Sequence, residues 1–364
     1  MNTRSISRRQ FIKAAALAGS TTLLSPCFGQ GGEGSKLNIK LGLDNFAVRA
    51  FGWKAPALID YAASLKTDSL FITDLDAFES FEEKYLSGLK SKAADAALQI
   101  HVGTWSICPT SKSFKKNWGT AEEHLALGIR VAKAVGSPVI RVVLGTGKDR
   151  ETEGGIEARI EDTAKVCKAL RTQAIDAGVK IAVENHAGDM QSWDLVSLIE
   201  QAGKEYVGAN IDSGNAAWTF EDPLSNLEIL GPYVLTSSLR DSAIWEYPEG
   251  AKVQWTAMGD GIVDFKTYFE RFARLCPGVP VHIETISGFP HDVPYLKADF
   301  WKLFPKARAS DLARFVALAR KGKPIPPFKA PPGKDRQEAE KQYQKAEIEK
   351  SLQYCKTLGL GLKA

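Results

Sequence analysis

The chain has 364 residues, of which 44% are hydrophobic, 25% charged and 9% aromatic, a profile that excludes disordered, collagen-like and multi-span membrane chains. The formal charge is +4, but Arg4, Arg8, Arg9 and Lys13 stand in an acid-free first stretch, so residues 31–364 balance to zero, which argues against a nucleic-acid partner. Five scattered cysteines without a CxxC pair read as small buried residues, not as a disulfide framework or zinc knuckle.

The chain opens with Ser7-Arg8-Arg9-Gln10-Phe11-Ile12-Lys13 and then the apolar run Ala14–Leu24. Paired arginines before a short apolar segment form a twin-arginine export signature, which places the protein in the periplasm or outside the cell. The run is shorter than the roughly twenty apolar residues of a transmembrane helix, so no stable membrane span is expected. Leu24-Ser25-Pro26-Cys27 resembles a lipoprotein cleavage box, but proline directly before the cysteine argues against a lipid anchor at Cys27. Residues 1–35 are therefore set apart from the fold.

Apolar runs ending in polar residues then recur at even intervals: Leu37–Leu43, Ser69–Thr73, Leu98–Gly103, Val139–Leu144, Lys180–Val183, Val207–Ile211, Val234–Leu239 and Val279–Ile283. Hydrophobic almost throughout, they read as strands buried on both faces. Helical periodicity lies between them, as in Ala121–Val135 and Ile160–Ala177. Strand signals alternating with helices predict an α/β protein, a (β/α)₈ TIM barrel over residues 36–320. The absence of G-x-G-x-x-G after the first strand counts against a doubly wound sheet. Pro324, Pro326, Pro327, Pro331 and Pro332 then mark an extended linker, and Arg336–Tyr354 reads as a charged helix. This extension, residues 321–364, is expected to pack on the barrel exterior or to form an oligomer contact.

Three strand signals end in an acid: Ile181-Ala182-Val183-Glu184, Gly208-Ala209-Asn210-Ile211-Asp212 and Val281-His282-Ile283-Glu284. The C-terminal ends of barrel strands face the catalytic mouth, so the fold would converge these acids on one point. Carboxylates that close repel strongly at low dielectric and are tolerable around a divalent cation. Oxygen ligands suit Mn²⁺, Mg²⁺ or Ca²⁺, and an added imidazole favours Mn²⁺, Co²⁺ or Zn²⁺. Taken singly, each acid also reads as a helix N-cap or a solvated charge.

Glu184-Asn185-His186, Asp212-Ser213-Gly214-Asn215, Leu239-Arg240-Asp241, Met258-Gly259-Asp260-Gly261-Ile262-Val263-Asp264-Phe265 and Glu284 follow one another in this order. In that order they resemble the sugar phosphate isomerase/epimerase family of xylose isomerase-like TIM barrels, over about residues 37–320. The resemblance implies one divalent metal, Mn²⁺ first with Mg²⁺, Co²⁺ or Zn²⁺ as alternatives, bound by Glu184, Asp212 and Glu284. It also implies a histidine before the Lys/Arg-Asp pair, where this sequence has Ser238. Serine is a poor ligand for Zn²⁺ or Mn²⁺, and Gln254 is the candidate for the fourth contact, with a surface loop as its other reading.

His186 is expected at the same rim as a sugar-binding or acid–base group, or else as a buried structural histidine. Arg240 is assigned to anchoring substrate oxygens or orienting a metal-binding acid, with Asp241 pairing with it. His101, inside the third strand, and Trp105, just after it, are further substrate-binding candidates, each with core packing as its alternative. Trp218, Trp245 and Trp255 suit stacking on sugar rings, and His291 suits a loop that closes over substrate. The expected activity is an exported, metal-dependent isomerase or epimerase acting on a small sugar or glycoside. Glu184 and Glu284 would exchange protons next to a carbonyl, with elimination from a 3-keto-glycoside as a lyase version. The alternative is a non-catalytic carbohydrate-binding barrel with a degenerate metal site. Phosphodiester cleavage of the endonuclease IV type is disfavoured, because that chemistry uses several histidines around three zinc ions and the chain has only 5 histidines in all.

Overall fold

The computed structural model describes residues 37–363; the paired arginines, the apolar run and Cys27 lie outside those residues. The strands, in chain order, are β1 (Leu41–Asp44), β2 (Ser69–Ile72), β3 (Gln99–Ser106), β4 (Val139–Val143), β5 (Lys180–Glu184), β6 (Val207–Ile211), β7 (Val234–Ser237), β8 (Asp241–Tyr247), β9 (Gly250–Thr256), β10 (Val281–Ile283) and β11 (Pro290–Val293). Eight of them, in the order β10-β1-β2-β3-β4-β5-β6-β7, form one parallel sheet with helices between successive strands. The ring closes just past β7, where Leu239 bridges Ile283 and donates its N–H to His282 O at 2.8 Å. This is a TIM barrel, and each of the eight apolar runs lies on one of its strands.

Local sequence explains the elements. The helix Ala121–Val135 starts at a capping box, Thr120 with Glu123, and stops at Gly136 with φ 77°. Its buried face carries Leu125, Ile129 and Ala132. The stretch predicted as one helix, Ile160–Ala177, is two helices, Gly155–Ala169 and Arg171–Ala177, broken at Leu170. Gly42 in β1 is dictated by space, since a Cβ there would overlap Ser69 Oγ and the His282 ring inside the barrel.

Two features lie outside the barrel, the first unforeseen in the sequence and the second the expected charged helix. A three-stranded antiparallel sheet, β11-β9-β8, stands at the strand-end side of the barrel next to the end of β7. It packs with the helix Ala309–Ala319 around its own apolar cluster, which includes Phe220, Ile244, Val253, Phe304 and Phe315. The charged helix, Arg336–Thr357, packs across β1 and β10. Its Ile348, Leu352 and Cys355 are buried in the same cluster as Leu41 and Leu43. Beyond the helix, Gly361 N–H donates to Ile39 O at 2.9 Å, and Leu37 N–H donates to Gly359 O at 3.1 Å. Among the described residues, no helix is long and apolar enough to cross a membrane.

Candidate active site

The strand ends do converge. Glu184, Asp212 and Glu284 are buried and each offers a carboxylate oxygen within 4.8 Å of the others. Asp212 is fixed as the N-cap of the helix Ser213–Trp218, where its Oδ1 accepts Gly214 N–H at 2.8 Å and Asn215 N–H at 2.9 Å. Asn215 Nδ2 reaches back to Asp212 Oδ2 at 2.8 Å and to Glu184 Oε1 at 3.1 Å. Asn185 fastens the floor by pairing its amide with the Asp212 backbone in both directions. The N-cap and ligand readings of Asp212 are thus compatible within one residue.

Two buried guanidinium groups face these acids. Arg141 Nε donates to Glu184 Oε2 at 2.5 Å, and Asn210 Nδ2 donates to the same oxygen at 2.6 Å. Arg240 Nη2 bridges Asp212 Oδ2 and Glu284 Oε2, while Arg240 Nε and Nη1 are buried with no partner among the described residues. A fourth acid, Asp44 at the end of β1, accepts the Ser238 hydroxyl at 2.9 Å. Burial works to raise Glu184, and the charge and hydrogen bond of Arg141 more than offset it, so this carboxyl sits below its usual range. Asp212 is pushed up to about 8 by burial against the pull of Arg240, with the charges of Glu184 and Glu284 adding to the rise. Glu284 is also raised, chiefly by burial.

The donor set fits a divalent cation in charge. Fully ionised, the four carboxyl groups exceed the two guanidinium groups by two negative charges, which one such ion balances; without it, burial raises Asp44, Asp212 and Glu284. It fits only partly in ligand type. The position of the expected histidine is Ser238, whose hydroxyl is committed to Asp44. The buried acidic triad could therefore hold an ion, and an all-oxygen set suits a hard cation better than zinc.

Above the acids lies a cavity of about 230 Å³ lined by Glu284, Arg141, Arg240, His186, Asn215 and Trp105, among others. His186 Nδ1 donates to Gly145 O at 2.6 Å, since a carbonyl can only accept, so Nε2 carries the lone pair. Burial lowers its pKa to about 4, so the ring is neutral at pH 7. Trp105 packs edge-on against His186, with ring centroids 5.2 Å apart. From Arg240 a stack runs outward: its guanidinium lies 4.3 Å from the Trp255 ring, Trp255 stacks on Trp218 at 4.1 Å, and Trp218 stacks on His291 at 4.1 Å. Beyond Trp218 a second cavity of about 640 Å³, lined by His291, Phe300, Phe304 and Lys148, shares Thr146, Ala187 and Trp218 with the first.

Other expected residues lie elsewhere. Gln254 is apart from the triad: alternation along β9 turns Trp255, not Gln254, toward the cavity, and Gln254 Nε2 donates to Pro326 O at 3.2 Å. His101 is inside the barrel, not on the cavity wall. It bonds Thr236 Oγ1 at 2.9 Å and lies 4.9 Å from the His282 ring, because its strand position directs it into the packed interior. Asp241 does not pair with Arg240, whose guanidinium is held by Asp212 and Glu284. It accepts the backbone N–H groups of Ser242, Gly259, Gly261 and Val263, and so holds the Gly-rich turn. Trp245 is buried in β8 away from the cavity lining. Asp44, Arg141, Asn210 and the role of Asn215 were missed. Asp44 ends Leu41-Gly42-Leu43-Asp44 as the other three acids end their strands, and Arg141 is a lone charge inside an otherwise apolar strand, so both had a signal.

Comparison with known proteins agrees with this architecture. A family model described as a xylose isomerase-like TIM barrel matches residues 59–298. The Escherichia coli protein YihM, described as uncharacterized, is 24% identical over 247 residues, which cover 67% of this chain and 69% of YihM. A 3-oxo-isoapionate decarboxylase of Pectobacterium atrosepticum is 19% identical over 237 residues, covering 62% of this chain and 78% of the decarboxylase. Among solved structures, an IOLI protein with a bound zinc atom shares the fold with a TM-score of 0.54 at 14% identity, covering 79% of this chain and 100% of that one. D-psicose 3-epimerase from Clostridium cellulolyticum shares it with a TM-score of 0.52 at 15% identity, covering 77% and 96%.

Proposed function

The chain belongs to the xylose isomerase-like TIM barrel family, and from that premise we propose an exported enzyme that moves a proton on a carbon next to a carbonyl of a sugar or keto-glycoside. The observation that carries this reading is the buried carboxylate cluster opening through Glu284 into a sugar-sized cavity. Glu184, Asp212 and Glu284 would hold one divalent cation, Mn²⁺ first, with the other three metals as alternatives. Such an ion supplies Lewis-acid polarisation of the substrate carbonyl and so acidifies the adjacent C–H.

Of the two glutamates expected to exchange protons, Glu284 is on the cavity wall, and burial raises its pKa, which favours its taking up a proton. Glu184 has its oxygens engaged by Arg141, Asn210 and Asn215 and is kept ionised, which suits an anchor for the ion. Neutral His186 offers Nε2 as a second proton acceptor on the wall. Return of the proton to the opposite face gives an epimer, and return to the neighbouring carbon gives an isomer. Where a leaving group stands β to the carbonyl, its expulsion gives elimination. The shared walls of the two cavities support this last version, with a monosaccharide ring inside and the group attached to it outside. The D-psicose 3-epimerase of like fold and the decarboxylase relative fit chemistry that places charge on a carbonyl oxygen. Export rests on the paired arginines and apolar run at the start of the chain.

The test is incubation with Mn²⁺ in deuterated water with 3-keto-glucosides and with free ketoses. Deuterium in the sugar or cleavage of the glycoside is expected, lost on the order of a hundredfold or more in Glu284→Gln. No exchange and no turnover on either class would sink the enzymatic reading. Ser238 in the histidine position favours a second reading, a carbohydrate-binding barrel, which metal-independent sugar binding without turnover would support.

A further inference from the structure

Every acceptor position of Asp212 is taken. Its Oδ1 receives two backbone N–H groups and its Oδ2 receives Asn215 Nδ2 and Arg240 Nη2, and a carboxylate offers about four lone-pair sites in all. A cation reaching this carboxylate must displace one of these donors. Three belong to the cap of the helix Ser213–Trp218, fixed by that helix's own backbone or by Asn215 on its first turn. The fourth is the end of a long side chain, and the same nitrogen also closes on Glu284 Oε2. Arg240 Nε and Nη1 have no hydrogen-bond partner among the described residues, although the side chain is only 2% exposed. A guanidinium placed solely for its own hydrogen bonds would not leave two donors idle in a buried site.

We infer that Arg240 is an internal cation that alternates with the divalent ion, so that metal binding at the triad is an exchange in which Arg240 Nη2 leaves Asp212 and Glu284. This rests on the metal reading given above. Without the ion, Arg240 neutralises the two acids and keeps the cluster folded. With the ion, Arg240 turns toward the cavity it already lines, and that turn brings Nη2, with the buried Nε and Nη1, within reach of substrate oxygens. The position of the guanidinium depends on Gly214: a Cβ there would overlap Arg240 Cγ and Cδ, so Gly214→Ala shifts Arg240 without changing any charge.

The test is calorimetric titration of the whole metal-free chain with MnCl₂ in wild type, Arg240→Gln and Gly214→Ala. Exchange predicts that both variants bind Mn²⁺ about tenfold tighter or more, the scale of one lost charge-assisted hydrogen bond. Folded variants that bind no tighter than wild type would overturn the exchange alone, whereas no binding to any of the three proteins would overturn the metal reading itself. Should Arg240→Gln fail to fold, Gly214→Ala and wild-type fluorescence decide. Arg240 lies over Trp255, so saturation with Mg²⁺ should change tryptophan emission in wild type and not in Trp255→Phe. Unchanged emission in wild type at saturating metal would equally overturn the exchange.

Discussion

Ser238 donates its hydroxyl to Asp44 Oδ2 at 2.9 Å, joining the end of the first barrel strand to the segment after the seventh. Burial holds the Asp44 carboxyl well above its usual range, and the charge of Glu284 adds to the rise. A group that binds its proton more tightly folded than unfolded adds stability at low pH and loses it as pH rises toward the folded pKa. Asp44→Asn keeps the shape and is neutral at every pH. It should be at least as stable as wild type at pH 8, with the advantage shrinking toward pH 4, as read from urea midpoints at each pH.

Arg141 is the other half of the charge balance. Its side chain is 5% exposed, and its partner Glu184 is fully buried. Arg141→Met leaves that carboxylate without its cation, a loss expected to cost about 3–5 kcal/mol. Arg141→Lys keeps the charge but gives up the fork that also reaches Thr104 O, so its denaturation midpoint should fall between those of wild type and the methionine variant.

Away from the cavity, Glu221 is raised to about 7 by burial, against bonds from the Ser192 hydroxyl and N–H and from Asn226. The sign is that of Asp44: its contribution is complete below pH 4.5 and is lost as pH climbs to 7, a swing of about 3 kcal/mol. In Glu221→Gln the amide oxygen can accept from Ser192 N–H and Asn226 while the Ser192 hydroxyl turns to accept. The slope of stability against pH across that window should flatten, and an unchanged slope in urea titrations would count against this origin.

His291 borders the outer cavity and stacks on Trp218. If that cavity holds the group attached to the sugar, His291→Ala should raise KM for a keto-glycoside by about fivefold, the scale of one lost ring contact. KM for a free ketose should not move. Equal effects on both substrates would place the ketose in the outer cavity as well.

How far the sequence could be read follows from what each residue answers to. The barrel strands were legible because burial on both faces forces unbroken apolar runs, and Glu184, Asp212 and Glu284 because acids end those runs. Asp44 obeys the same rule and was passed over. The strand pair Asp241–Tyr247 and Gly250–Thr256 left no comparable run, since polar residues such as Asp241, Ser242, Glu246, Lys252 and Gln254 interrupt it although most of the two strands is buried. Gln254 and His101 show the limit of placing a residue near a motif: a shift of one position in a strand reverses the side to which it points. Arg240 was assigned to substrate oxygens or to a metal-binding acid. Its bond to two acids at once depends on the ring closing between β7 and β10, a long-range event that local pattern does not encode.

The helix Arg336–Thr357 covers β1, and the segment after it bonds to Leu37, Ile39 and Asp68. The earliest strand thus waits for the latest helix. During synthesis β1 has no outer cover until some three hundred further residues have left the ribosome, so its outward apolar face stays bare for most of translation. A stop codon after Pro332 would spare the carboxylate cluster and all eight barrel strands, yet Leu41 and Leu43 would lose the cover of Ile348, Leu352 and Cys355, and that bared apolar face would draw chaperones and proteases.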